Sequence, residues 1–255
     1  MLSASKCILV IGGTSGIGEA FARHFHAQGK SVIVTGRRQE RLRDLERDLP
    51  GVKSRLMDNA DLEQMPSLVK DILTEFPDID TVWINSGIQK AYDFADGGVA
   101  NLSAIAEEVT VNVTAPLMLA RLFLPHLLST DRPTCIAFTS SALAFVPLGV
   151  YPVYCPTKAA IHAFAVGLRQ QLQDTNVRVV EIAPPYVETE LDADHRGVTN
   201  ETPMLLRDYT AAVFQMLDQT DDNQIKEVAV GFAKEASEAW RHSIGAILAK
   251  IGVGG

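Results

Sequence analysis

Lys6-Cys7-Ile8-Leu9-Val10-Ile11-Gly12-Gly13-Thr14-Ser15-Gly16-Ile17-Gly18 decides the fold. An apolar, β-branched run reads as a buried strand, the glycines as a tight turn, and the apolar spacing of Ile17 to Gln28 as the helix that follows. Glycines let the backbone turn sharply and come close to a pyrophosphate. The unpaired amides and dipole at the start of the helix attract negative charge. The phosphate-binding candidates are therefore Gly12, Thr14, Ser15, Gly16, Ile17 and Gly18. A plain strand-to-helix turn needs glycines too, so the loop requires support from the rest of the chain.

The same alternation continues outward. Lys6 to Ile11, Ser31 to Thr35, Val52 to Met57, Asp80 to Asn85, Thr134 to Thr139 and Arg178 to Ala183 read as strands. Helical spacing fills Ile17 to Gln28, Glu40 to Leu49, Leu62 to Phe76, Ile105 to Leu128 and Thr157 to Asp174. Strands alternating with crossover helices imply an α/β fold: a Rossmann-like, doubly wound parallel sheet flanked by helices on both faces. No repeat or Pro/Ser linker breaks the pattern, so residues 1–255 are expected to form a single domain.

The end of the second strand bears on cofactor choice. About twenty residues past a dinucleotide loop, an acid would bond the ribose hydroxyls of NAD. Gly36-Arg37-Arg38 stands there instead. Guanidinium groups neutralise a 2′-phosphate that an acid would repel, so Arg37 and Arg38 predict NADP(H), with NAD(H) kept possible by Glu40. Asp58, past the third strand, reads either as a contact to the adenine edge or as a turn-forming Asp.

Tyr154 and Lys158, four apart, share one face of a helix. A free phenol has a pKa of about 10, and a nearby ammonium is expected to lower it toward proton transfer near neutrality. Ser141 lies thirteen residues before Tyr154, beyond an uncharged strand, and Asn112 lies in the preceding helix. This grouping suits carbonyl reduction: as a hydride reaches the carbonyl carbon, the oxygen needs a proton, from Tyr154, and a hydrogen-bond donor, Ser141. Asn112 alone could equally be a satisfied polar residue inside its helix.

With these residues in place, the sequence resembles the short-chain dehydrogenase/reductase family of the single-domain type. The matching stretches are Gly12 to Gly18, Asn85-Ser86-Gly87, Asn112, Ser141, Tyr154-Cys155-Pro156-Thr157-Lys158 and Pro184 through Thr189. Ala142 to Pro147 and Val180 to Pro185 further resemble the family branch named for teichoic-acid D-alanylation. The resemblance implies that Asn112 anchors a water linking Lys158 to solvent and that Lys158 also binds the nicotinamide ribose. It further implies that Val187 and Thr189 seat the carboxamide, that Asn85 helps hold the central strands near the adenosine, and that Ser86, Gly87 and Pro184 also bind the cofactor. Three departures stand out: Ile11 for a usual Thr, Ile84 and Ser86 around Asn85, and Pro185 for a usual Gly, where proline removes a backbone donor.

Composition narrows the rest. With 31 acids against 23 Lys and Arg, the net charge is −8, which argues against nucleic acid as a partner. The uncharged run 133–157 is broken by Pro147 and Pro152 and reads as core strand and loop, not a membrane span. Cys7, Cys135 and Cys155 have no redox or metal spacing and suit a reducing cytoplasm. No metal site is indicated. Leu143, Phe145, Tyr151 and Tyr186 are the candidate substrate wall, with 186–215 as a covering segment whose Asp192, Asp194, His195 and Arg196 suggest an exposed flap. The partner is a small carbonyl or alcohol, and the apolar Ala159–Leu168 face and the stripe from Trp240 to Ile251 offer core or a homodimer or homotetramer interface. The alternatives are a silent dinucleotide-binding regulator and a non-redox isomerase or cyclase using the same pocket.

Overall fold

The computed structural model describes residues 5–96, 102–191, 202–220 and 225–250, except the side chains of 245, 246 and 248–250. β1 Cys7–Ile11, β2 Ser31–Gly36, β3 Lys53–Leu56, β4 Thr81–Ile84, β5 Thr134–Thr139, β6 Val177–Ala183 and β7 Glu227–Ala229 form one seven-stranded sheet in the order β3-β2-β1-β4-β5-β6-β7. Every pairing is parallel. The helices are α1 Gly16–Ala27, α2 Gln39–Asp48, α3 Met65–Glu75, α4 Leu102–Val109, α5 Ala115–Leu128, α6 Tyr154–Gln171, α7 Leu206–Gln219 and α8 Phe232–Lys250.

Strand periodicity divides the core in two. Leu9 and Ile11 of β1 join Val69 and Ile72 of α3, Leu119 and Phe123 of α5, and Ile161 and Ala165 of α6 on one face. Ile8 and Val10 join Phe21 and Phe25 of α1, Leu42 and Leu45 of α2, and Val213 and Phe214 of α7 on the other. The chain winds outward from β1 to β3 and then returns to β4 beside β1. The crevice beyond the carboxyl ends of β1 and β4 is where such sheets bind ligands.

Three features differ from the sequence reading. β7 is an additional edge strand of three residues. The expected helix Ile105 to Leu128 instead begins at Leu102 and widens into a π-helical turn at Thr110–Thr114. Pro116, four residues after Asn112, has no N–H to return to that residue's carbonyl, which fits a widened turn. From Leu206 the expected covering segment 186–215 enters α7, which packs into the core: its Tyr209 and Val213 are fully buried and its Phe214 stacks on His24. Residues 192–201, with the expected flap charges, lie outside the described residues, as does Ile251.

The run Leu102–Leu128 is long and apolar enough to cross a membrane by length and composition. Its Ala115, Leu119, Ala120, Phe123 and Leu127 are fully buried against the sheet, the pattern of a core helix. The α6 face likewise serves the core, through Ile161, Ala165 and Leu168.

Candidate active site

The crevice is a cavity of about 740 Å³ that runs from the glycine loop to the start of α6. Gly12 (φ +82°) and Gly16 (φ +53°) take left-handed conformations that favour glycine. A Cβ on Gly18 would stand 2.2 Å from the Gly12 carbonyl oxygen, so this glycine allows helix and loop to pack. A hydrogen-bond chain fixes the loop to the sheet. Trp83 Nε1 donates to Thr139 Oγ1 (2.9 Å), Thr139 Oγ1 to Asn85 Oδ1 (2.9 Å), and Asn85 Nδ2 to the Gly12 carbonyl (3.0 Å). Glycine-only backbone at the mouth of a helix N-terminus fits a dinucleotide's pyrophosphate. Asn59 Nδ2 also bonds Ser86 Oγ, a partner the sequence did not single out.

At the far end, Ser141, Tyr154 and Lys158 border the same cavity. Tyr154 begins α6 and Lys158 lies one turn on, as the four-residue spacing requires. Ser141 Oγ accepts from Leu143 N (3.1 Å), which caps the short 3₁₀ turn Ala142–Ala144. Lys158 Nζ donates to the Thr139 carbonyl oxygen at 2.9 Å and lies 5.5 Å from the Tyr154 ring centre. The expectation that this ammonium lowers the phenol needs correcting. Burial raises Tyr154, opposed by its hydrogen bond with Ser141. Burial also lowers Lys158 from 10.5 to about 8, opposed by Glu108. The ammonium is aimed at the Thr139 carbonyl, and desolvation leads the shift of the phenol.

Asn112 sits behind the cavity wall. Its Oδ1 accepts from Ile88 N (2.9 Å), and its Nδ2 donates to the Ile88 carbonyl (2.8 Å) and to Thr157 Oγ1 (3.1 Å). The side chain thus ties the loop after β4 to α6. Ser140, beside Ser141, turns inward as the strand alternation predicts. Its Oγ donates to Glu181 at 2.5 Å, and His162 Nδ1 donates to the same carboxylate at 2.8 Å. Sequence reasoning missed this buried group, although Glu181 inside an apolar strand was a signal that a partner must exist.

At the nucleotide end, Arg37, Arg38 and Asp58 all border the cavity. Asp58 Oδ1 accepts from Ala60 N (3.0 Å), so this residue makes a turn and lines the site at once. Arg38 Nη2 donates to Ser15 Oγ (2.6 Å) and Thr14 Oγ1 (3.2 Å). Pro184, Val187 and Thr189 line the opposite wall, and Thr189 lies 3.3 Å from where a Cβ on Gly16 would stand. Glu190 follows them and also borders the cavity, another residue the sequence reading passed over.

Leu143, Tyr151 and Tyr186 line the cavity, joined by Val146, Leu148 and Phe232. Phe145 does not. Its ring packs edge-on to His162 at 4.7 Å and against Trp240 at 6.4 Å, because burying an aromatic ring under α8 is favoured over exposing it in the cleft. Cys155 is buried, and its Sγ accepts from Leu148 N.

The comparisons agree with this geometry. The profile for short chain dehydrogenases matches residues 6–198. An uncharacterised oxidoreductase of Bacillus subtilis (strain 168), DltE, is 40% identical over 202 residues, covering 78% of this chain and 79% of the relative. Among solved structures, a short-chain dehydrogenase from Streptomyces avermitilis superposes with a TM-score of 0.80 at 24% identity, covering 97% of this chain and 96% of that one. A closed-form serine dehydrogenase complexed with NADP+ superposes at 0.76 with 26% identity, covering 88% and 94%. A profile match over most of the length, a relative at this identity and a glycine loop sharing one cavity with Ser141, Tyr154 and Lys158 give one answer: the chain is an oxidoreductase that belongs to the short-chain dehydrogenase family.

Proposed function

We propose that this protein is an NADP(H)-dependent carbonyl reductase or alcohol dehydrogenase that interconverts a ketone or aldehyde and an alcohol. One observation carries the reading: Ser141, Tyr154 and Lys158 open into the cavity that the glycine loop borders. The bound cofactor supplies or accepts the hydride. Ser141 Oγ holds the substrate oxygen, and Tyr154 gives its phenolic proton to that oxygen in reduction and takes it back in oxidation. Lys158, held on Thr139, binds the nicotinamide ribose and sets the charge beside the phenol. Asn112 positions the loop and α6 around them.

Two features support NADP(H). A Cβ on Gly36 would strike Thr14 Cγ2 at 2.5 Å, so an acid for ribose hydroxyls has no room there, and Arg37 and Arg38 stand next to it. The serine dehydrogenase relative is complexed with NADP+. Leu143, Val146, Leu148, Tyr151 and Phe232 favour a largely apolar carbonyl compound. Cys7, Cys135 and Cys155, all free and buried, favour a cytoplasmic setting. Exposed Leu102, Val109 and Leu128 favour a homodimer or homotetramer, which sedimentation tests.

The function is tested by a spectrophotometric screen of NADPH and NADH against diverse ketones, aldehydes and alcohols. The expected result is NADPH oxidation with at least one apolar carbonyl compound. Tight NADPH binding without turnover across the panel would mark a silent regulator, and product without net cofactor consumption an isomerase or cyclase.

A further inference from the structure

Glu190 closes the nucleotide end of the cavity from the opposite wall. One carboxylate oxygen, Oε2, accepts from Arg38 Nη1 at 3.0 Å and from Arg41 Nη1 at 2.7 Å. Arg38 is itself anchored through Nη2 on Ser15 Oγ at 2.6 Å and Thr14 Oγ1 at 3.2 Å. The guanidinium is therefore held in place by the phosphate loop, and the acid is the partner on the exposed side, with its side chain 54% accessible. The hydrogen bond from Arg41 leads the effects that hold the Glu190 carboxyl below its ordinary pKa; burial opposes it, and the hydrogen bond from Arg38 adds to the lowering. It is thus ionised at neutral pH. The cation placed to receive a 2′-phosphate already carries a protein anion.

We propose that Glu190 is a built-in competitor of the 2′-phosphate and sets how strongly this chain prefers NADP(H) over NAD(H). The inference rests on the nucleotide reading of the cavity given above. A phosphate monoester carries about −1.5 to −2 charge near neutrality. It must displace the Glu190 carboxylate from Arg38 or share the guanidinium with a like charge a few ångströms away, and either costs affinity. NAD(H) has no such group and meets a site whose Arg38 charge is already balanced. Arg37, exposed at the same mouth and without a hydrogen bond or ion pair among the described residues, is left to attract the incoming phosphate. Glu190 therefore narrows the discrimination that the arginine pair would otherwise give.

The test is a set of fluorescence and calorimetric titrations of NADPH, NADH, 2′,5′-ADP and 5′-AMP against the wild type, Glu190→Gln and Glu190→Ala. Both side chains replace a half-exposed acid, so the fold is retained. Releasing two partly exposed ion pairs should tighten NADPH and 2′,5′-ADP by about three- to tenfold. NADH and 5′-AMP should change by less than about twofold. Weaker NADPH binding in the variants would overturn the proposal, because Glu190 would then be a strap across the bound nucleotide. Equal changes for NADPH and NADH would also overturn it, placing the effect in the loop and not at the phosphate. If the wild type and both variants bind 2′,5′-ADP no better than 5′-AMP, the 2′-phosphate reading itself fails. That result differs from one in which the wild type discriminates and the variants leave the ratio unchanged.

Discussion

Lys158 Nζ donates to the Thr139 carbonyl oxygen at 2.9 Å while lying 5.5 Å from the centre of the Tyr154 ring. The fold thus fixes the ammonium through the last residue of β5, and the phenol lies beside it on the same helix face. Both groups are almost fully buried, so each is disfavoured in its charged form. The phenol and the ammonium thus stand desolvated at one end of the cavity, where the proposed nucleotide and substrate would meet them.

Stability should record this burial. Between about pH 8 and pH 10.5 the unfolded chain binds a proton at Lys158 that the folded chain has lost, so the Lys158 contribution to stability rises with pH. At about 1.4 kcal/mol per pKa unit, the full effect is about 3 kcal/mol. The buried thiols of Cys7, raised to about 11, and Cys135, raised to about 12, act oppositely above pH 9, so the comparison must be with Lys158→Met. The stability of Lys158→Met relative to wild type, from urea denaturation, should fall by about 3 kcal/mol from neutral pH to pH 10.5. A difference that does not change with pH contradicts the burial argument.

Glu181 receives both Ser140 and His162 in the core. Removing it leaves two buried polar groups without their partner, and Glu181→Ala should cost about 3–5 kcal/mol in urea denaturation at neutral pH. Glu181→Gln, which keeps an acceptor in place, should cost less. A loss under about 1 kcal/mol for the alanine variant would mean that these two hydrogen bonds do not hold Ser140 and His162 in place.

Tyr151 and Phe145 separate pocket from core. Tyr151→Ala should raise KM for an apolar substrate by about tenfold, the effect of removing aromatic contact from a pocket. Phe145→Ala, at a partly buried ring, should instead lower stability by about 1–3 kcal/mol with KM changed far less. Steady-state kinetics beside denaturation curves decide this, and a KM effect confined to Phe145 would reverse the assignment.

Much of this was legible because the signals were local. β1, β4 and β5 are apolar runs long enough to read as strands, and the Gly12–Gly18 turn and the Tyr154–Lys158 spacing each sit within a few residues. Glu227–Ala229 was not legible, since three residues carry no period. The wide turn at Thr110–Thr114 was hidden because apolar spacing continues through it. Phe145 was placed in the pocket because it follows Ser141, yet its direction depends on Trp240, far along the chain. Glu190 was passed over because its partners, Arg38 and Arg41, lie about 150 residues away and only the fold brings them together.

The central claim is that the Tyr154 hydroxyl moves the proton. With a reactive carbonyl substrate in hand, Tyr154→Phe keeps the ring in its buried seat and removes only the oxygen. Its kcat should fall by about a hundred- to ten-thousandfold while the NADPH Kd stays within about twofold of wild type. Full turnover in the Phe variant would contradict the account.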